Sequence, residues 1–293
     1  MGALCIASSG VLVRLSDTTP VTVAVYRCLF ALPILGLLTY FESRRLGPLP
    51  KRSLRLAWLA GIFFAIDLIF WHHSIEAVGA GLATVLGNLQ VVVVGFAAWA
   101  ILGEKPKSTL FAALPVILIG VVLISGVIGS DAYGKDPALG VVLGIATSLA
   151  YAAFLLILRE GSRDLRRIAG PLFHATLVSA LAAAIYGYFD GSMDWNPGWP
   201  SLGWLLTLAL SCQVAGWLLI SSSLPRLPAA VTSVVLLLQP VGAMTLAAIT
   251  LGEDPGIAQL GGAALILTGV VVATTGHRKG VGEPEGALIA EGS

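Results

Sequence analysis

Residues 83–106 read ATVLGNLQVVVVGFAAWAILGEKP, and residues 232–255 read TSVVLLLQPVGAMTLAAITLGEDP. The two stretches align when the chain is compared with itself at an offset of 149 residues, and fifteen of the 45 pairs between 80–124 and 229–273 are identical. Matched glutamine, Gly-Glu and proline residues are rare coincidences among Leu- and Val-rich segments, so the chain contains an internal repeat. Each stretch also contains an apolar run close to the ~20 residues with which a helix crosses a membrane.

The composition is that of a membrane protein. Of the 293 residues 57% are hydrophobic and 11% are charged, against roughly a quarter charged in a soluble domain. The apolar runs are continuous and lack the alternation of barrel strands, so the predicted fold is an all-α membrane protein in a lipid bilayer. The net charge of +1 excludes nucleic acid as a partner.

Apolar runs between charged or Pro/Gly-rich breaks predict ten transmembrane helices: 2–15, 20–41, 55–76, 79–102, 108–128, 137–159, 170–189, 201–224, 228–251 and 256–276. The first repeat unit is predicted at 1–128 and the second at 137–276, followed by a Gly/Glu-rich tail, 277–293, that is predicted to be disordered. The first span reaches only about 22 Å, which leaves two alternatives: this helix is truncated, or the chain begins inside it.

The basic residues predict the orientation of these spans. Fourteen of the seventeen lysines and arginines lie in alternate links or in the tail, whereas the other links carry mostly Asp and Glu. By the positive-inside rule the basic side is cytoplasmic. Both termini and the tail are therefore expected in the cytoplasm, as in a multi-pass protein of the cytoplasmic membrane.

The repeat is predicted to be inverted, because each half contains five spans, an odd number. The charges agree: Glu104 is followed by Lys105 on the basic side, whereas Glu253 is followed by Asp254 on the acidic side. Inverted repeats are typical of secondary transporters, in which two related halves expose a central site alternately. A channel or a membrane scaffold stays the alternative, and an intramembrane enzyme is a third, less favoured one.

The runs Leu102-Gly103-Glu104 and Gly120-Val121-Val122, repeated as Leu251-Gly252-Glu253 and Gly269-Val270-Val271, resemble the EamA domain of the drug/metabolite transporter superfamily. The resemblance covers essentially the whole chain as two units. It implies a ten-helix bundle with a central cavity formed by the first four helices of each half, and the fifth and tenth helices at the periphery. It also implies export or exchange of small metabolites, such as amino acids or amphipathic, drug-like compounds.

Charged side chains at membrane depth are costly and indicate a cavity or a partner. Asp67 in the third span and Arg27 in the second lie at similar depths, about 10–13 Å from their outer ends. They are interpreted either as a pair that locks two helices or as substrate-binding groups, with Asp67 as a candidate for proton coupling. Trp71 and Ser74 share the helix face of Asp67, and ordinary helix packing is the alternative for both.

Mid-membrane polar residues complete the predicted cavity. They are Asn88 and Gln90 in the fourth span, Tyr151 in the sixth, Gln213 in the eighth and Gln239, beside Pro240, in the ninth. Gln90 and Gln239 are related by the repeat and are predicted to face each other. Amides also hold membrane helices together, which is the alternative role.

His72 and His73 are candidates for proton coupling. They point about 100° apart on a helix and have no further ligands nearby, so no metal site is predicted. No cofactor is expected either, and the chain contains no phosphate-binding loop and no catalytic motif that would indicate an ATPase or an enzyme. Small residues in the tenth span, Gly261, Gly262 and Gly269, indicate close helix packing and leave a homodimer contact open.

Overall fold

The computed structural model describes residues 1–104, 108–124, 136–251 and 256–275, with the backbone alone given for a few of them, among which are His72 and Glu76. Regular structure in these ranges is helical throughout. The helices are α1 (Gly2–Ala7), α2 (Ser9–Ser16), α3 (Pro20–Leu46), α4 (Lys51–Asn88), α5 (Gln90–Leu102), α6 (Ser108–Ile124), α7 (Pro137–Gly161), α8 (Ala169–Asp190), α9 (Ser201–Leu208), a π-helical segment (Ala209–Gly216), α10 (Trp217–Ser223), a 3₁₀ turn (Leu224–Arg226), α11 (Ala229–Leu236), α12 (Leu238–Leu251) and α13 (Ile257–Thr275). The predicted tail and Glu253 lie outside the described residues.

Six helical segments in this part of the chain are long and apolar enough to cross a membrane: Pro20–Leu46, Lys51–Trp71, Ala138–Gly161, Ala169–Asp190, Ser201–Arg226 and Ala229–Thr250. Four further apolar helices are shorter: Gly2–Ser16, Leu86–Ile101, Ser108–Leu123 and Ile257–Ala273. The chain is therefore a multi-pass, all-α membrane protein. The count of ten spans stays a prediction, because four of the ten predicted segments fall below the spanning length.

The helix α4 turns back on itself where the sequence predicts the break between its third and fourth spans. Helical backbone continues from Lys51 to Asn88, across the boundary that the sequence predicts between the third and fourth spans. A Cβ built on Gly87 would nevertheless lie 3.8 Å from Cδ1 of Trp71, although sixteen residues of straight helix span about 24 Å. Ser74 and Leu86 also contact neighbouring turns of α7, at Gly140 and Gly144. The chain therefore reverses its direction between Ser74 and Leu86.

Side-chain contacts gather the helix ends into two groups. One group, here named the basic end, joins the end of α3 to the start of α8, the start of α4 to the end of α7, and the end of α5 to the start of α11. The other group, the acidic end, joins the start of α3 to the segment after α8, and the middle of α4 to the start of α7. The connections between helices that the sequence assigns to the same side of the membrane thus lie at the same end of the bundle.

Three helices are interrupted at one level of the bundle. The first predicted span breaks at Ser8, the fourth at Leu89 and the ninth at Leu237. At each break the amide donates to the carbonyl three residues earlier, with N···O distances of 3.4, 3.1 and 3.0 Å, so the helix tightens locally. The breaks at Leu89 and Leu237 fall within one residue of the 149-residue register. Pro240 follows the third break, where its missing N–H is tolerated.

The helices α6 and α13 pack against each other at the side of the bundle. A Cβ built on Gly120 would lie 2.8 Å from the carbonyl oxygen of Gly262 and 2.9 Å from Cγ1 of Ile266. Gly269 approaches Ile117 in the same manner. Small residues here allow close helix approach. Gly262 and Gly269 thus take part in a helix contact within one chain.

Candidate functional site: a central cavity

A cavity of about 290 Å³ lies at the level of the three interrupted helices. Its size is at the lower end of the range for small-molecule pockets. Seven of the nine predicted cavity residues line it: Arg27, Asp67, Trp71, Asn88, Gln90, Tyr151 and Gln239. The remaining lining comes from Ile6, Ala7, Ser9, Gly10, Phe64, Leu68, Gly87, Thr147, Trp217, Pro240 and Ala243. The peripheral helices α6 and α13 contribute no residue to this lining.

The cavity holds two buried side chains of opposite charge. Arg27 on α3 is 6% exposed and Asp67 on α4 is 8% exposed. The ion pairs in the described part of the chain join other residues, so the predicted pair between Arg27 and Asp67 is not formed within 4.0 Å. Cζ of Arg27 instead lies 5.9 Å from the ring centroid of Phe64, within cation–π range. Both charges therefore face the cavity without neutralising each other at close range.

Four of the lining residues each carry a buried polar atom that has no hydrogen-bond partner among the described residues. These atoms are Nε of Arg27, Oε1 of Gln90, Oγ1 of Thr147 and Nε1 of Trp217. A buried polar group without a partner costs about 1–3 kcal/mol, and such groups are rare in native proteins. Because the four residues line one space and carry both donors and acceptors, this lining suits a polar ligand.

A cluster of aromatic rings lies on the side of the cavity that is nearer to the basic end. Phe64 stacks on Phe154 with 4.6 Å between the ring centroids, and Trp217 meets Phe154 edge-on at 4.9 Å. The ring centroid of Tyr151 lies 6.4 Å from that of Trp217. The rings of Phe64, Phe154, Trp217 and Tyr151 are here named the aromatic floor. Tyr151 lines the same cavity as Asp67, Arg27 and Gln239. The site thus combines an apolar floor with charged and amide-bearing walls.

The interrupted turns position the amides. Asn88 and Gln90 flank the break at Leu89, and Gln239 follows the break at Leu237 by two residues. Gln90 is 2% exposed and lies in the wall together with its repeat partner. The two glutamines thus line the same cavity, whereas their facing each other across it and their contact with a substrate stay predictions.

Two predicted cavity residues lie elsewhere. Oγ of Ser74 donates to the carbonyl oxygen of Gly140 at 2.9 Å, which joins α4 to α7. Nε2 of Gln213 donates to Oγ1 of Thr176 on α8 at 3.1 Å. Their placement in the cavity was wrong, because each side chain is used to hold neighbouring helices together.

Of the two candidate histidines, His72 and His73, the structure describes the side chain of His73 alone. The side chain of His72 lies outside the described part of the chain. Nε2 of His73 hydrogen-bonds with the hydroxyl of Tyr186 on α8. His73 lines a second cavity of about 320 Å³ near the acidic end, together with Asp190 and Thr19. It is therefore absent from the central cavity, and a role in proton coupling stays a prediction.

Trp217 and Phe64 are the main lining residues that the sequence did not reveal. Gln213 and Trp217 are four residues apart, so a regular α-helix would place both on one face. In the π-helical segment Ala209–Gly216 each residue turns the chain by less than in an α-helix, so the two side chains no longer share one face. Gln213 contacts α8, and Trp217 lines the cavity. Phe64 carried a usable signal, since it precedes Asp67 by three residues on the same face of α4.

Comparison with known proteins finds relatives along most of the chain. The uncharacterized transporter YwfM of Bacillus subtilis (strain 168) is 22% identical over 266 residues, which cover 90% of this chain and 87% of YwfM. The uncharacterized transporter YxxF of the same organism is 23% identical over 252 residues, covering 84% of this chain and 78% of YxxF. A protein of known crystal structure shares the fold, with a TM-score of 0.78, 16% identity and coverage of 95% of this chain and 96% of its own.

The strongest assignment comes from the family comparison, which matches both repeats. The EamA-like transporter family matches residues 1–126 and residues 138–275. This agrees with the resemblance drawn from the two Leu-Gly-Glu runs, and both the family and the names of the relatives point to transport rather than catalysis. The chain belongs to the EamA-like transporter family.

Proposed function

We propose that the protein is a secondary transporter that exports or exchanges small metabolites by alternating access through the central cavity. The observation that carries the proposal is the set of buried, unpartnered polar atoms around one space that also holds Arg27 and Asp67. A molecule with both charged and apolar parts would satisfy these atoms and cover the aromatic floor. Amino acids and amphipathic, drug-like compounds share that chemistry.

The contacts between the repeats support a two-fold arrangement of the halves. Gly120 packs on Ile266, and Gly269 packs on Ile117. In the 149-residue register Gly120 corresponds to Gly269 and Ile117 to Ile266, so the same contact occurs twice with the roles exchanged. Such reciprocal contacts are expected of a two-fold axis, and two halves related in this way are suited to rocking about a shared site.

We place the basic end in the cytoplasm of a cell bounded by its cytoplasmic membrane. The positive-inside rule supports this orientation, because α3, α4, α7 and α8 have their basic flanks at one end of the bundle. Both termini are then cytoplasmic, with the short first helix as the part of the chain that the span count constrains least.

Counterflow in proteoliposomes tests the proposal. Purified protein is reconstituted into liposomes loaded with one unlabelled metabolite, and uptake of the labelled metabolite is followed across a panel of amino acids and amphipathic amines. Saturable counterflow that is lost in Arg27→Gln and Asp67→Asn is expected, since each variant removes one buried charge of the cavity. Asp164→Asn, in the exposed loop between α7 and α8, serves as the matched control and should transport normally.

Two results would contradict parts of the proposal. Absence of counterflow across the whole panel, with protein correctly folded in the liposomes, would favour a channel or scaffold. If Asp67→Asn leaves both the rate and its pH dependence unchanged, Asp67 has no part in proton coupling.

A further inference from the structure

Glu104 forms a clamp across the basic end that joins the two repeats. Its Oε1 accepts a hydrogen bond of 2.6 Å from Nη2 of Arg159 at the end of α7. Its Oε2 accepts from the backbone amide of Ala229, the first residue of α11, at 3.0 Å. One carboxylate of the first repeat thus holds two separate elements of the second.

Arg159 extends the clamp to the connection between α10 and α11. Its Nε donates to the carbonyl oxygen of Leu224 at 3.1 Å, and its Nη2 also donates to that of Leu227 at 3.1 Å. The side chain of Arg159 is 17% exposed and that of Glu104 is 28% exposed. Charge-assisted hydrogen bonds with this degree of shielding are stronger than exposed ion pairs. The neighbouring pair between Arg52 and Glu160 offers a contrast, because the Arg52 side chain is 77% exposed.

The clamp lies on the far side of the aromatic floor from the cavity. Arg159 follows Tyr151 by eight residues on α7, which is about 12 Å along the helix axis, and Leu224 follows Trp217 by seven residues, about 10 Å. Between them lie buried side chains, including Leu158 at 0% exposed and Ser221 at 1% exposed. The clamp therefore lies between the repeats on the basic-end side of the cavity, about one to two helical turns beyond the aromatic rings.

We infer that the Glu104 clamp, formed by Glu104, Arg159, the carbonyls of Leu224 and Leu227 and the amide of Ala229, is the gate that keeps the basic end closed. Opening this end requires the two repeats to separate there, and the hydrogen bonds from Glu104 must then break. The conformation described here has the clamp formed. Its meaning for transport rests on the proposed function, whereas its role in closing the basic end is testable without any substrate.

The test uses a single cysteine at Ser221 as a reporter of water access. Ser221 lies on the same face as Trp217, one turn closer to the clamp, and Ser221→Cys is a small change at a buried position. The three free cysteines, Cys5, Cys28 and Cys212, are replaced by alanine, and the rate of N-ethylmaleimide labelling is measured in detergent. Ser179→Cys serves as the matched reporter, because Ser179 is 0% exposed between α4 and α8, away from the cavity.

Two clamp variants are compared with one control. Glu104→Gln is isosteric and keeps an acceptor for the amide of Ala229, and Arg159→Lys keeps the charge but loses the planar group that reaches both carbonyls. Each is expected to raise the labelling rate at position 221 about tenfold. The loss of one charge-assisted hydrogen bond shifts the equilibrium between the closed and open basic end by about this factor. Labelling at position 179 should stay unchanged. Arg52→Met removes the exposed pair at the same end and should leave both rates unchanged.

An unchanged rate at position 221 in both clamp variants would overturn the gate. Equal increases at positions 221 and 179 would also overturn it, since the clamp would then only stabilise the fold. The same holds if Arg52→Met opens position 221 as much as the clamp variants do. Failure of these labelling tests leaves the transport proposal intact, and absence of counterflow leaves the labelling result intact, so the two proposals fail separately.

Discussion

Gly120 on α6 packs against Ile266 on α13 so closely that a Cβ built on the glycine lies 2.9 Å from Cγ1 of the isoleucine and 3.0 Å from its backbone nitrogen. The second neighbour is backbone, which cannot rotate away. Gly120→Ala is therefore expected to push α6 and α13 apart and to destabilise the protein by about 1–3 kcal/mol, lowering the melting temperature in detergent by several degrees.

Gly95 on α5 provides the control for that prediction. No atom lies within 4 Å of a Cβ built there, so Gly95→Ala gains helix propensity without a clash and should leave stability equal or higher by up to about 1 kcal/mol. Equal melting temperatures for the two alanine variants would show that close packing at Gly120 is dispensable.

The repeat partners Gln90 and Gln239 should contribute to substrate affinity. Oε1 of Gln90 is buried without a partner at the cavity wall, so a bound molecule is expected to donate to it. Gln90→Leu keeps the side-chain volume and should weaken binding threefold to tenfold, the value of about 0.5–1.5 kcal/mol for a neutral hydrogen bond. Half-saturation in the counterflow assay measures this change.

Gln213→Leu is the matched control for Gln90→Leu. Its amide donates to Thr176 between two helices, outside the cavity, so the variant should lower the melting temperature and leave the half-saturation concentration unchanged. The opposite pattern, in which Gln213 alters affinity and Gln90 alters only stability, would place the binding site elsewhere in the bundle.

Trp217 should act on the substrate through its indole N–H. Trp217→Phe keeps an aromatic ring against Phe154 and removes the buried, unpartnered donor Nε1. A similar threefold to tenfold loss of affinity is expected, with near-normal expression and folding. Trp204→Phe changes an exposed tryptophan of α9 and should have no effect on counterflow, and a loss of equal size there would point to a general effect of removing tryptophan.

Glu42 is predicted to be a strong stabilising residue at the basic end. Its carboxylate accepts from the backbone amides of Ile168, Ala169 and Gly170, each at 2.8 Å, and so satisfies three amides at the start of α8. Glu42→Ala should cost about 1–3 kcal/mol, measured as a lower melting temperature.

Glu160→Ala is the control for Glu42→Ala. Glu160 pairs with Arg52 and Arg163, whose side chains are 77% and 68% exposed, and such exposed pairs contribute at most about 1 kcal/mol. A larger effect from Glu160 than from Glu42 would contradict the assignment of Glu42 as a helix cap.

Much of the cavity was predictable from the sequence, because charged and amide side chains at membrane depth are costly unless they face a cavity or a partner. That rule located Arg27, Asp67, Gln90 and Gln239. It failed for Ser74 and Gln213, since a helix–helix hydrogen bond satisfies a polar side chain equally well. Hydropathy cannot tell these two outcomes apart.

The geometry of the helices was less accessible. The π-helical turn before Trp217 and the breaks at Ser8 and Leu89 depend on packing against other helices, and their local residues are ordinary. The reversal within α4 lies where the sequence separates the third span from the fourth, but nothing in the sequence indicates that helical backbone continues through it. Pro240 was the one local signal of an interruption, three residues after the break at Leu237.

The role of Glu104 was underestimated. The sequence singled it out only as part of the repeated Leu-Gly-Glu run. The left-handed backbone of Gly103, with φ of 68°, ends α5. Glu104 is then free to reach Arg159 and Ala229, which are 55 and 125 residues further along the chain. Contacts of such sequence separation leave no trace in a local motif.

Glu42 and Glu104 have a consequence for biosynthesis. The ribosome delivers the first repeat to the membrane before the second exists, so both carboxylates must remain in contact with water at the basic end until α7, α8 and α11 arrive. The first repeat expressed by itself should therefore be a poor folding unit, and co-expression of residues 1–128 with residues 129–293 should rescue it. Assembly of this protein is in that sense a late event. The first half carries the two carboxylates from the start, and assembly is completed only when the second half supplies their hydrogen-bond partners.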